Sequence, residues 1–339
     1  MIKESIGKII AGKNLTQQEA FDTMSEIMSG NATEAQIASF ITALRMKGET
    51  IDEITGCAKV MRQFATHVEM ATSGIDVIAD TCGTGGDSLK TFNISTVSAF
   101  VTAGAGVHVA KHGNRAVSSS CGSADLIESL GIKLELTKEQ AEECLKKVGI
   151  VFLFAPVWHG AMKYAVGPRK QIGIRTIFNI LGPLSNPAGA ANQVIGVYDV
   201  KLTDTLAEVL KNLGSKHAFV VHGMDSLDEI TITGKTRVAE LKNGRIRAYY
   251  VTPEKFGIKR STLDEIEGAD AVANAGITMA VLKGEKTPRR DVVLMNASAA
   301  LVAGSMARDF KSGVKMAAES IDSGRALDKL NRLIEITNR

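Results

Sequence analysis

Through residues 1–72 the apolar side chains recur with a helical period. Ile37, Phe40, Ile41 and Leu44 stand at i, i+3, i+4 and i+7, which lines one face of a helix. Thr16 with Glu19, Thr33 with Gln36 and Thr50 with Glu53 have the capping-box spacing, in which a hydroxyl and a later side chain satisfy free backbone N–H groups reciprocally. Three helices are expected to begin there, with Gly30 and Gly48 at C-cap positions. After Gly74 the period changes. Short apolar runs at 77–79, 107–110, 150–155, 194–198 and 218–221 alternate with helix-like segments, the pattern of a parallel sheet covered by helices. Asn243-Gly244 between two strand-like runs predicts a hairpin that extends this sheet in antiparallel fashion. The segment 158–185, rich in Gly, Pro and basic residues, breaks the alternation and is expected to cross back to the helical part as a hinge, with Gly160, Gly167 and Gly173 as hinge glycines. The helical part shows no chemistry of its own and reads as a packing platform or a subunit contact.

At 339 residues and 45% hydrophobic content the chain can bury a large core and is long enough for two domains. A net charge of +3, with Lys and Arg dispersed, gives no electrostatic footprint for nucleic acid. Cys57, Cys82, Cys121 and Cys144 form no C-x-x-C pair, the N-terminus lacks the apolar run of a signal peptide, and no apolar stretch is long enough to span a membrane. A soluble, cytoplasmic protein is the expectation.

The candidate chemistry gathers between Asp80 and Asp125, where strand, turn and helix occur twice. In the first turn Gly83, Gly85 and Gly86 permit positive φ and close backbone approach to an anion, and Asn93 opens a helix whose N-terminus faces it. By itself such a cluster is equally an ordinary tight turn. Asp87 would repel a phosphate unless a cation lies between them or it accepts from sugar hydroxyls. The second turn supplies Lys111 and Arg115 as cations, Ser118, Ser119 and Ser120 as hydroxyl donors, and Ser123 near the cap of the next helix. Two such turns leaving one edge of a parallel sheet suggest a ligand with more than one phosphate.

Six motifs in order resemble the anthranilate phosphoribosyltransferase family over essentially the whole chain. They are Gly83-Thr84-Gly85-Gly86-Asp87, Asn93-Ile94-Ser95-Thr96, Lys111-His112-Gly113-Asn114-Arg115, Gly122-Ser123-Ala124-Asp125, the run 175–187 and Asp228-Glu229. The resemblance implies an α/β fold: a small all-helical N-terminal domain hinged to a large α/β domain with a central, largely parallel but mixed sheet flanked by helices. Residues 1–72, joined by part of 160–182, would form the first, and 73–159 with 183–339 the second. It implies transfer of the ribosyl phosphate of phosphoribosyl pyrophosphate to the amino group of anthranilate, with two Mg²⁺ ions and a homodimer built through the helical domain.

Carried over by position, the donor contacts implied are Gly83, Gly86, Asp87, Thr91, Asn93, Ile94, Ser95, Thr96, Lys111, His112, Gly113, Asn114, Arg115, Ala116, Val117, Ser118, Ser119 and Ser123. The acceptor contacts implied are Gly83, His112, Asn114, Arg169 and Pro183, and the metal ligands Ser95, Asp228 and Glu229. Read without the resemblance, Asp228-Glu229 is a solvated surface pair and Arg169 an exposed base. The chain departs from the family at Ser226, where Gly is frequent, and at Cys121 within the serine-rich turn; neither change removes an implied ligand. The implied chemistry needs no covalent nucleophile: neutralising the leaving diphosphate and holding the amine in line suffice. The alternatives are a pyrimidine nucleoside phosphorylase-like enzyme and a catalytically silent nucleic-acid-binding relative. The retained Asp228-Glu229 pair and the near-neutral charge argue against the second.

Overall fold

The computed structural model describes residues 1–69, 74–75, 77–86, 89–116 and 120–339. The front of the chain is helical: α1 (Ile2–Ile10), α2 (Gln17–Met28), α3 (Glu34–Lys47) and α4 (Ile51–Gln63). Thr16, Thr33 and Thr50 each accept from the backbone N–H three residues on, and the later Glu or Gln closes a reciprocal box. Gly48 is the C-cap of α3 at a φ of 89°, while α2 ends one residue earlier than expected, at Ser29, with Gly30 following at 77°. Helix α1 escaped the capping signal because its N-cap, Met1, makes no side-chain cap bond.

The remainder builds one sheet of seven strands in the order β3-β2-β1-β4-β5-β6-β7. These are β1 (Ile78–Gly83), β2 (His108–Gly113), β3 (Ile150–Phe154), β4 (Asn192–Gly196), β5 (His217–Gly223), β6 (Thr236–Lys242) and β7 (Arg245–Val251). The first five are parallel and the last two antiparallel. The β6–β7 turn places Asn243 at φ 49° and Gly244 at 75°, the positive pair that a two-residue hairpin needs to match strand twist. Between strands lie α5 (Ile94–Gly104), α6 (Ser123–Ser129) and α7 (Lys138–Lys147).

Residues 80–83 and 111–113, expected as turn, are strand: β1 runs on to Gly83 and β2 to Gly113. Their polar side chains mask the strand because they are satisfied inside the protein. Asp80, fully buried, accepts from Asn186 Nδ2 at 2.8 Å and from the His112 N–H at 3.3 Å.

The apolar interior divides along the sheet. Ala79, Val109, Val194, Phe219 and Val238 pack on one side with α5 and the C-terminal helices. Cys82, Ile195, Val220 and Ala239 face the other way and share a cluster with Phe40, Ile41 and Leu44 of α3 and with Leu206 and Leu210. The helical front is therefore continuous with one face of the sheet. The segment 158–185 reaches it through helix Lys163–Ile172, which packs against α2 and α3. Gly167 is inside that helix, where a Cβ would come within 2.9 Å of Glu34 Oε1. Gly173 does turn the chain, ending the helix at a φ of 64°. Among the described residues no helix is long and apolar enough to cross a membrane.

Candidate active site

The chain builds β1, β2 and β3 outward in one direction and then returns to lay β4 on the opposite side of β1. The strand order reverses between β1 and β4, and open α/β sheets place their ligand crevice at the carboxyl ends of such a pair, here where Gly83 pairs with Gly196. The Thr84 N–H continues the pairing by donating to the Gly196 carbonyl at 2.9 Å, and Thr84 Oγ1 accepts from the Tyr198 N–H at 3.2 Å. Gly85 and Gly86 follow at φ values of 64° and 82°, as a turn built on backbone requires. Gly83 has a different use. A Cβ there would lie 3.0 Å from Asp228 Oδ2, and one on Gly196 would lie 1.5 Å from the Asp228 carbonyl oxygen. Two strand-end glycines thus make room for one acidic residue.

Asp228 and Glu229 follow β5 in a loop held from within. The Asp225 carboxylate accepts from the Thr231 and Thr233 hydroxyls at 2.5 Å each and from the Leu227 N–H at 3.3 Å. Asn296 clasps both backbone groups of Ile230 at 3.0 Å. Ser226 adopts a φ of 77°, a left-handed conformation that glycine takes without steric cost. Glu229 is buried, and its Oε1 accepts the Ser95 N–H at 3.1 Å in the first turn of α5. A carboxylate at that helix end is favoured by the same dipole expected to face a phosphate.

Lys111, at 3% exposure, is buried on β2. Its ammonium donates to the Thr81 carbonyl and, at 3.2 Å, to Ser95 Oγ. The structure thus brings Ser95, Lys111 and Glu229 together and sets Asp228 against Gly83. Asn93 precedes α5 but does not cap it by its side chain. Instead Asn93 Nδ2 donates to the Cys121 carbonyl at 3.1 Å and Oδ1 accepts from Asn274 at 3.0 Å, tying the first turn to the second. Ile94 and Thr96 are buried in the first turn of the same helix, and Thr91 lies beside it in an isolated bridge to Glu267.

The second turn closes on itself. Asp125 accepts from the Gly122 N–H at 2.9 Å, the Ala116 N–H at 3.0 Å and Arg115 at 3.1 Å. Arg115 also donates to Glu128 at 2.8 Å, so its charge is directed at two carboxylates. Ser123 Oγ donates to the Asn114 carbonyl at 3.3 Å, against Gly113, where a Cβ would meet that hydroxyl at 2.3 Å. Asp87, Val117, Ser118 and Ser119 lie outside the described residues.

On the acceptor side, His112 Nδ1 meets the Gly182 carbonyl at 3.1 Å, which fixes the proton on Nδ1 and leaves Nε2 a buried lone pair without a partner. Burial, with His159 5.0 Å away between ring centroids, lowers its pKa to about 3, so the ring is neutral at physiological pH. Pro183 is buried and accepts from Gln193 at 2.9 Å through its carbonyl. Arg169 stands 5.1 Å over the Phe178 ring, and burial lowers its pKa. Asn114 is exposed.

Sequence reasoning gives no role to Gly196, Asp225, Asn296 or the Asp80–Asn186 pair. Gly196, Asn296 and the Asp80–Asn186 pair support functional residues across a long sequence separation, and Asp225 holds the loop within which it lies.

The donor set at the crevice is hard oxygen from two adjacent carboxylates and a hydroxyl. Among the described residues no group of three or more His, Cys, Asp or Glu side chains could hold a metal by itself. A set this small fits Mg²⁺, which keeps waters and takes further ligands from phosphates, better than a metal wanting an all-protein cage.

The fold and crevice define a class. Residues 76–327 match the glycosyl transferase family, a/b domain, and residues 3–65 match its helical bundle domain. The anthranilate phosphoribosyltransferase of Geotalea uraniireducens (strain Rf4) is 54% identical, covering 100% of both chains. The crystal structure of the Thermus thermophilus anthranilate phosphoribosyltransferase superposes with a TM-score of 0.93 at 39% identity, covering 99% of each chain. The Saccharomyces cerevisiae enzyme in complex with PRPP and Mg superposes with a TM-score of 0.90 at 29% identity, over 99% of this chain and 98% of that one. The chain belongs to the anthranilate phosphoribosyltransferase family.

Proposed function

We propose that the protein transfers the 5-phosphoribosyl group of phosphoribosyl pyrophosphate to the amino group of anthranilate, giving N-(5-phosphoribosyl)anthranilate and pyrophosphate in tryptophan biosynthesis. The observation that carries this reading is the meeting of Lys111, Ser95, Glu229 and Asp228 at the β1/β4 reversal, beside a turn whose glycines stand at positive φ. A cation, hydroxyls, amides and two carboxylates suit a ligand that is both a polyphosphate and a sugar. Ser95, Asp228 and Glu229 would hold Mg²⁺, two ions in our reading. When bound, Mg²⁺ supplies charge neutralisation on the diphosphate.

The residues of the chain account for the rest. The bond from C1 to the pyrophosphate oxygen breaks, the diphosphate leaves with the electron pair, and the amine nitrogen forms the new bond to C1. Lys111 offsets charge on the donor, and the end of β1 with the turn 84–86, Thr91, the start of α5 and the end of β2 with the turn 114–123 seat it. Arg169 grips the acceptor carboxylate with the paired donors of its guanidinium, and His112, Asn114 and Pro183 frame the entrance. His112, neutral with a free Nε2, accepts a hydrogen bond there. An aromatic amine attacks in neutral form and loses its proton afterwards to water or pyrophosphate.

In the same reading, residues 1–72 with part of 160–182 form one domain and the rest the other. Two copies meet through the helical domain, on which Ile10 and Met46 stay 73% and 83% exposed. The enzyme works in the cytoplasm.

The test follows the loss of anthranilate fluorescence with purified protein, phosphoribosyl pyrophosphate and Mg²⁺. Product should form in wild type, and the Asp228→Asn, Glu229→Gln double variant should lose turnover by about a thousandfold and shift its Mg²⁺ requirement. No product from wild type would end the reading. An unchanged Mg²⁺ titration in the double variant would remove the pair from the metal site.

A further inference from the structure

We infer that Arg175 is a positioning residue that couples the acceptor segment to the donor turn, an inference that rests on the function proposed above. Arg175 lies between helix Lys163–Ile172, which carries Arg169, and the turn Gly182–Leu184, which carries Pro183 and receives His112. Its guanidinium leaves that segment and donates to the Gly86 carbonyl at the end of the glycine turn. The same group stands 4.7 Å from the centroid of the Tyr198 ring. Tyr198 in turn donates its N–H to Thr84 Oγ1 at 3.2 Å, so ring, turn and guanidinium form one clasp. A Cβ on Gly86 would lie 2.7 Å from Arg175 Nη2, so the glycine makes space for the arginine as well as supplying its φ of 82°.

The clasp has a physical consequence for an anionic ligand. A carbonyl bound by a cation is held from turning its negative end towards a neighbouring diphosphate, and a charge-assisted bond is among the stronger ways to hold it. A planar fork can donate in its plane while stacking on a ring, which an ammonium cannot do. Because one side chain joins the segment bearing the acceptor contacts to the turn bearing the donor contacts, ordering of either favours the other, and that coupling is reciprocal.

The test compares wild type, Arg175→Ala and Arg175→Lys by initial rates over a grid of phosphoribosyl pyrophosphate and anthranilate concentrations. Thermal unfolding and calorimetric titration with phosphoribosyl pyrophosphate, which needs no turnover, accompany it. Arg175→Ala should raise the donor KM and Kd about tenfold, the worth of one charge-assisted hydrogen bond, with kcat within about twofold and an unfolding temperature near wild type. Arg175→Lys should recover less than half of that loss on a logarithmic scale. An unchanged donor Kd in the alanine variant overturns the inference, and so does full recovery by lysine, which would mean that a point charge suffices. Wild type that binds the donor without forming product defeats the proposed reaction instead, while the calorimetric contrast still decides the role of Arg175.

Discussion

The turn after β1 and the turn after β2 look alike in sequence, with glycine beside hydroxyl and charge, yet they are held in different ways. The first is held by distant parts of the chain: Gly196 takes the Thr84 N–H, Arg175 takes the Gly86 carbonyl, and Asp228 fills the space beside Gly83. The second, among its described residues, is gathered on its own Asp125, which collects Gly122, Ala116 and Arg115, with ties outward from Asn93 to the Cys121 carbonyl and from Ser120 to the Ala269 carbonyl. Glycine does different work in each. Gly85 is needed for its dihedral angle alone and Gly86 for its angle and for the room it leaves Arg175, whereas Gly122, at a φ of −79°, is needed for space, since a Cβ there would lie 2.2 Å from the Ala116 nitrogen.

That contrast can be broken by substitution. The largest effect should come from Gly122→Ala, which drives a methyl into backbone that cannot step aside; we expect a loss of about 3 kcal/mol in urea unfolding. A loss below about 1 kcal/mol would mean that the second turn relaxes as freely as a surface loop. Asp125→Ala comes next, at about 2 kcal/mol, because two backbone N–H groups lose their acceptor. If stability is unchanged while donor binding weakens, Asp125 serves the ligand and not the turn.

Gly85→Ala should cost only about 1 kcal/mol, from its left-handed φ alone, because no atom lies within 4 Å of the added Cβ. A cost equal to that of Gly122→Ala would erase the distinction between the two uses of glycine. The smallest expected effect is a gain. Ser226→Gly should stabilise by about 0.5 kcal/mol, because relief of the left-handed conformation is partly offset by the greater freedom of glycine in the unfolded chain. Destabilisation there would show that the serine hydroxyl has a role beyond the turn.

The elements most legible in the sequence were those whose signals are local. The three capping boxes, the period of α3 and the Asn243-Gly244 hairpin involve residues within a few positions of one another, and each formed as its spacing dictates. The strand ends were harder to read. Asp80, Lys111 and His112 look like turn residues because they are polar, but each has a buried partner, so the strands run on to Gly83 and Gly113.

The candidate site divides in the same way. Its residue types, order and family resemblance are properties of the chain, and they specify which side chains carry the chemistry expected of it. What only the tertiary structure decided is how they meet: the reversal of strand order between β1 and β4, the approach of Asp228 to two glycines, the contact of Glu229 with α5 and the reach of Arg175 to Gly86. Capping and hairpin geometry depend on dihedral angles and side chains a few residues apart, so a one-dimensional string contains them. A contact between residues 95 and 229 depends on how strands are ordered in a sheet, and no local preference encodes that order.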